Sequence, residues 1–274
     1  MAQSMFPLLS PQALHPSRDT IHAYSKLLGA VRRALTPPQK HWWHISLRAT
    51  ASGLTTTPIP CHDMTFEMEL DLTTHEFCIS TSEGDWWDMT LRGQSTREFA
   101  EEVFGALQTL GVEADVDRSK FRNNARQVYD TTMVEDYWHA ASQVDILLKQ
   151  FKGELREETS PVQLWPHHFD FSLVWFSGRQ IPGKDPADAE NADEQMAFGF
   201  STGDDGIPEP YFYITAYPWQ EALMRADLPS GARWHTDSWK GALLRYETLL
   251  QSEEPKQQLL DFWRIVQQAG ASLM

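Results

Sequence analysis

One spacing constrains this chain more than any other: a five-position apolar stripe that occurs twice. Ile21, Tyr24, Leu28, Val31 and Leu35 recur as Tyr137, Ala140, Val144, Leu147 and Phe151 at a constant offset. Steps of three and four place each set on one helical face, which must be buried. A second pair of stripes shows the same relation, with Phe99, Val103 and Ala106 echoed by Leu259, Trp263 and Val266. Between the two members of each half the period changes to two, the period of strands.

In the first half, Asp19 is expected to cap a helix that Thr36-Pro37-Pro38 ends. Trp43, Ile45, Leu47 and Ala49 then alternate with His44, Ser46, Arg48 and Thr50, a strand pattern. Further strands are expected at 66–72, 77–80 and 87–91. Ser95 and Glu98 form a capping-box pair before a helix that Gly111 stops. The second half repeats the order: a helix at 133–152, strands at 169–175, 196–201, 211–216 and 239–244, and a helix at 255–269. The expected class is α+β, with two pseudo-repeated helix–four-strand–helix halves and mainly antiparallel sheet. Edge-to-edge pairing of the halves would make one continuous sheet. The boundaries are 1–112 for the first half, 113–130 for a connecting segment and 131–274 for the second half, the two packed as one unit.

Charge excludes several functions. Lys and Arg number 23 against 38 Asp and Glu, a net charge of −15 that repels phosphate backbones and anionic membranes. Nucleic acid and membrane are therefore not expected partners. Cys61 and Cys78 are the only cysteines and lie too far apart for a zinc knuckle or a disulfide framework. No run of about 18 apolar residues occurs. The start, MAQSMFPLLSPQ, has no basic, then apolar, leader pattern, so the cytoplasm is the expected location.

The halves differ on their second strand faces. In the first, Arg48 stands near Glu67 and Glu69 if neighbouring strands pair, and Asp71 continues that carboxylate row. In the second, Ala197, Gly199, Ala242 and Leu244 leave both faces apolar or small. Something must cover that face: the other half, a second subunit in a homodimer, or a ligand. Residues 183–195 read as an acidic surface loop. Arg118, Lys120, Arg122 and Arg126 make the connecting segment basic, as for a linker lying on an acidic surface.

Two motifs concentrate polar chemistry. LWPHHFDFS holds His167, His168, Asp170 and Ser172. On a strand the last three share a face, where Asp170 or His168 can act as a general base. Imidazoles plus a carboxylate also suit a divalent metal, with His167, His168, Asp170 and His235 as candidate ligands. HWWHIS holds Trp42 and His44, and His44 takes the place of Asp170 under the duplication. Trp42, Trp86, Trp165, Trp219 and Trp234 lie near strand ends and form a candidate ligand wall. No phosphate loop, dinucleotide fingerprint or nucleophile elbow occurs.

YDTTMVEDYWHAASQVDILLKQFKGEL, SPVQLWPHHFDFSLVWFSGR, FGFSTGD and YFYITAYPW together resemble the family called domain of unknown function 5996. LTPPQKHWWHISLRATASGLTTTPIP followed by TFEMELDL is similar to it as well, so the resemblance spans nearly the whole chain. Relatives resemble Trp-Gly-Ser-Phe-Asp where this chain has Trp165-Pro166-His167-His168-Phe169-Asp170, which leaves both histidines outside the shared pattern. The resemblance implies no activity.

The expected function is a small-molecule-binding protein or an enzyme, with a pocket between the halves. Asp170, His168 and His44 are its catalytic candidates, and Trp42, Trp165, Trp234 and His235 its ligand-binding ones. The alternatives are a non-catalytic homo-oligomeric interaction module and a divalent-metal-dependent enzyme.

Overall fold

Two units divide the chain in the computed structural model, which describes residues 5–274. The amino-terminal unit holds Gln12–His139 with Leu164–Phe169. The carboxy-terminal unit holds the stretch up to Pro11, Ala140–Gln163 and Asp170–Met274. Residues 1–4, where the leader reading begins, lie outside the described residues.

Helix α1 (Pro11–Leu35) starts well ahead of the expected Asp19 cap. Pro11 stands first, where a missing N–H costs nothing. Asp19 lies inside the helix and pairs with Arg18 at 2.7 Å. Ile21, Tyr24, Leu28 and Val31 are buried, as their spacing requires. The expected strand from Trp43 is instead a 3-10 turn, Lys40–Ile45.

The strands that follow are β1 (Arg48–Ala49), β2 (Gly53–Thr55), β3 (Ile59–Cys61), β4 (Met64–Asp71), β5 (Glu76–Thr81) and β6 (Trp86–Thr90), and then comes α2 (Thr96–Thr109). They form an antiparallel sheet in the order β1-β2-β4-β5-β6, with β3 also on β4. Tyr24 stacks on Phe99 at 3.9 Å, and Phe99 meets Phe77 edge-on, so α1 and α2 pack on one sheet face. On the other face Thr55 donates to Glu67, and Thr50 and Ser52 donate to Glu69 at 2.7 and 3.2 Å. The capping box is present: Glu98 N–H donates to Ser95 Oγ, and Ser95 N–H to Glu98 Oε2.

The connecting segment packs on this unit. Arg118 covers the Phe104 ring at 4.3 Å, and Arg126 donates to Arg92 O. Leu164–Phe169 belongs here too. Leu47 and Leu164 exchange backbone bonds of 2.9 Å, and Pro166 presses on Gly29, where an added Cβ would lie 2.7 Å from Pro166 Cγ.

Helix α3 (Thr131–Glu154) leads into β7 (Gln163–Trp165), β8 (Asp170–Gln180), β9 (Asp193–Ser201), β10 (Tyr211–Tyr217), β11 (Ala232–His235), β12 (Gly241–Arg245), α4 (Tyr246–Leu250) and α5 (Pro255–Ala271). The second sheet runs β11-β12-β10-β9-β8-β7. Phe151 of α3 packs on Phe198 at 5.0 Å and on Trp263 of α5 at 5.7 Å, and Trp263 meets Phe212. The class is α+β as expected, but the strands form two six-stranded sheets, neither four-stranded nor continuous. The short strands β2, β3, β7 and β11 add to those the spacing predicts. Among the described residues no helix is long and apolar enough to cross a membrane.

Candidate functional site

Alternation sorts the carboxy-terminal sheet into two faces. Phe171, Leu173, Phe198 and Phe212 take the face packed by Phe151 and Trp263. Ser172, Gly199, Ser201, Tyr211, Tyr213 and Leu243 take the other, as the registers Ser172↔Gly199, Gly199↔Tyr213, Ser201↔Tyr211 and Tyr213↔Leu243 require. Asp170 joins them, because Tyr213 Oη donates to its Oδ2.

Small residues on this second face let rings lie against the backbone. A Cβ added at Gly199 would fall 2.2 Å from Tyr213 Cζ. One added at Gly241 would fall 2.6 Å from Trp239 Cζ3. Trp239 rises from the loop between β11 and β12 and meets His235 at 4.4 Å, Tyr211 at 6.3 Å and Tyr213 at 6.4 Å. Ile207 and Leu243 complete the layer. The unit's own rings thus cover much of the face that, on sequence, needed covering.

Carboxylates edge the rings. Tyr211 Oη donates to Asp204 Oδ2 at 2.5 Å, and Asp204 Oδ1 accepts from Gly206 N–H and Ile207 N–H. Burial, then the charge of Asp170, pushes the Tyr213 phenol well above its ordinary value. Burial, then the bond to Asp204, raises Tyr211. Both phenols are therefore neutral donors at pH 7, not nucleophiles. Asp170, Ser172, Ser201 and His235 are all buried, and His235 Nε2 is 3.4 Å from Ser238 Oγ.

A second constellation lies in the amino-terminal unit. His41 and Trp42 have φ of 56° and 60°, the left-handed region that non-glycine residues enter at a cost. The chain turns there instead of extending. Arg32, in the last turn of α1, closes the turn: Nε donates to His44 O at 3.0 Å, and Nη1 to Ser46 O. Gln39 N–H donates to His44 Nδ1 at 3.2 Å, which leaves the imidazole proton on Nε2. Burial first, then Arg32 and Arg33, lowers the His44 pKa. Trp42 stacks 5.5 Å from His44, with the Arg33 guanidinium 5.2 Å from its ring.

The 164–169 turn breaks the expected strand. Phe169 takes φ 62°, and its N–H donates to Trp165 O at 2.7 Å. His168 therefore leaves the alternation and does not share a strand face with Asp170 and Ser172. Phe169 is stacked by His22 at 5.1 Å and Tyr137 at 5.3 Å. The His167 and His168 rings lie 4.4 Å apart, and Trp165 meets His167 edge-on.

Trp42, His44, Trp165, His167 and His168 thus belong to the amino-terminal unit, and Asp170, Trp234 and His235 to the other. Asp170 and His235 are both built into the ring layer. Trp234 pairs with Ala242, on the opposite face from His235, and meets Trp219 edge-on at 6.3 Å. Among the described residues no group of three or more His, Cys, Asp or Glu could hold a metal ion, so His167, His168, Asp170 and His235 make no ligand set. Tyr211, Tyr213 and Trp239 were not among the sequence candidates. Their signal is a Tyr-x-Tyr strand face opposite a glycine.

A model of the family of unknown function DUF5996 matches residues 6–274. The chain belongs to this family. No curated protein and no solved structure matches it. Membership of DUF5996 brings no activity with it.

His22 gives the amino-terminal unit a pH dependence. Burial, then Lys26, lowers its pKa to about 4, from an ordinary value of 6.5, while Nε2 bonds His167 O at 3.2 Å. The unfolded chain therefore takes up a proton that the folded chain refuses as pH falls from 6.5 toward 4. Stability contributed by neutral His22 is complete above pH 6.5 and is lost across that window. His22→Gln, which keeps a donor without titrating, should flatten the fall of Tm between pH 7 and pH 4.5. Parallel Tm curves for the two proteins would refute this.

Proposed function

We propose that the protein binds a small planar molecule on the second face of its carboxy-terminal sheet, with Asp170 as polar anchor and Trp239 as stacking ring. A carboxylate only 8% exposed, set in a layer of rings, carries this reading. A carboxylate in an apolar layer accepts strongly from ligand N–H or O–H groups. Trp239 stands on the loop between β11 and β12 and is only partly buried, which leaves part of its ring open to a ligand. The protonated tyrosines favour binding over catalysis, since neither is a base at neutral pH.

Planar heterocycles and aromatic amines, screened by thermal shift and tryptophan fluorescence, test the proposal. A hit should bind Asp170→Asn roughly tenfold more weakly, the loss expected for one charge-assisted hydrogen bond. The variant should stay folded, because the asparagine carbonyl still accepts from Tyr213. Unchanged affinity would sink the assignment, as would a panel in which no compound shifts either signal.

A further inference from the structure

We propose that the amino-terminal unit binds a small organic oxyanion, a carboxylate or a phosphate, against Arg32, Arg33, His44 and Trp42. All four residues belong to that unit, and the inference is independent of the ligand assigned to Asp170.

The chain carries a net charge of −15, yet the guanidinium groups of Arg32 and Arg33 both reach one short turn. Arg32 is 5% exposed. Its acceptors are the carbonyls of His44 and Ser46, and among the described residues no carboxylate pairs with it. Arg48 converges on the same serine, donating to Ser46 Oγ at 2.6 Å and to Leu47 O at 3.3 Å. Burial, then the like charge of Arg48, pulls the Arg32 pKa down to about 10. The end of helix α1 offsets only about half an elementary charge. A buried cation with carbonyl partners alone is poorly compensated, and an anion from solution supplies the missing charge.

The surroundings suit an organic anion. Guanidinium groups hold carboxylate and phosphate oxygens through paired N–H donors. His44 adds a neutral Nε2–H donor, its other nitrogen being held by Gln39 N–H. Trp42, 37% exposed, offers a flat indole at the surface, with Arg33 over its ring. A planar body can lie on that indole while its oxyanion reaches inward.

Full-length protein titrated at low ionic strength with benzoate, inorganic phosphate and benzamide tests this, by tryptophan fluorescence and calorimetry. Benzoate or phosphate should bind, and benzamide, similar in shape but uncharged, at least about tenfold more weakly than benzoate. Benzoate without phosphate assigns a carboxylate ligand, and phosphate without benzoate a phosphate ligand. Arg33→Gln and Trp42→Ala alter exposed side chains, so both should keep the wild-type Tm while losing roughly fivefold or more in affinity. Arg32→Lys keeps the charge but not the fork, and should weaken binding further. No binding by either anion, benzamide binding as tightly as benzoate, or wild-type affinity in both surface variants would each overturn the proposal.

Discussion

Trp263→Ala should cost about 3–5 kcal/mol of folding stability, the range for removing a large aromatic side chain from a packed core. Trp263 is fully buried on the α5 stripe with Leu259 and Val266. It touches Phe151 from α3 and Phe212 from β10, so its loss empties the place where two helices meet the sheet. Typical domains hold only about 5–15 kcal/mol in total, so the variant should unfold at clearly lower denaturant. The indole N–H has no acceptor among the described residues. Trp263→Phe therefore deletes an unpaired donor along with some bulk and should cost less, about 1–2 kcal/mol. Urea curves followed by circular dichroism measure both. Equal losses in the two variants would show that ring packing is not what Trp263 contributes.

Gly241→Ala should cost about 1–3 kcal/mol or more, through overpacking against backbone. The new methyl carbon would lie 2.3 Å from Ile214 O and 2.6 Å from the Trp239 ring. That carbonyl belongs to β10, whose Ile214 pairs with Ala242 of β12, so it cannot retreat without loosening the ladder. Trp239 must leave its seat as well. The variant should thus combine a lower Tm with red-shifted tryptophan emission. Gly105→Ala is the control: nothing lies within 4 Å of its Cβ position in α2, and it should gain roughly 0.5–1 kcal/mol from helix propensity. A Gly241 variant as stable as wild type would mean that the close approach is not rigid.

The helices were legible because their stripes are long and their period strong. Ser95 and Glu98 announced α2, and the bonds they make are those the spacing required. HWWHIS misled for a definite reason. Its alternation has the period of a strand, but Arg32, distant in sequence, grips the carbonyls of His44 and Ser46 and stabilises a turn that local pattern cannot reveal. Nothing in the sequence marks Phe169, a bulky residue, as left-handed, so alternation alone puts His168 on a strand face. Strands β7 and β11 are too short to show a period. Asp170 and His235 could be named in advance, since polar residues flanking apolar strands stand out. Trp239 could not, because its place depends on Gly241 of β12 and on Tyr211 and Tyr213 of β10, strands brought together only by folding.

The division of the chain has a consequence for its synthesis. The amino-terminal unit includes Leu164–Phe169, so on the ribosome it cannot be completed when His139 emerges. Its last six residues arrive only after the whole of α3 has been made. The carboxy-terminal unit waits in the opposite sense: Pro7, translated far ahead of α4, accepts a 2.8 Å bond from Tyr246 Oη, and Phe6 packs on the same ring. Neither unit can be excised by a single cut, and a nascent chain halted near residue 155 would hold two unfinished cores.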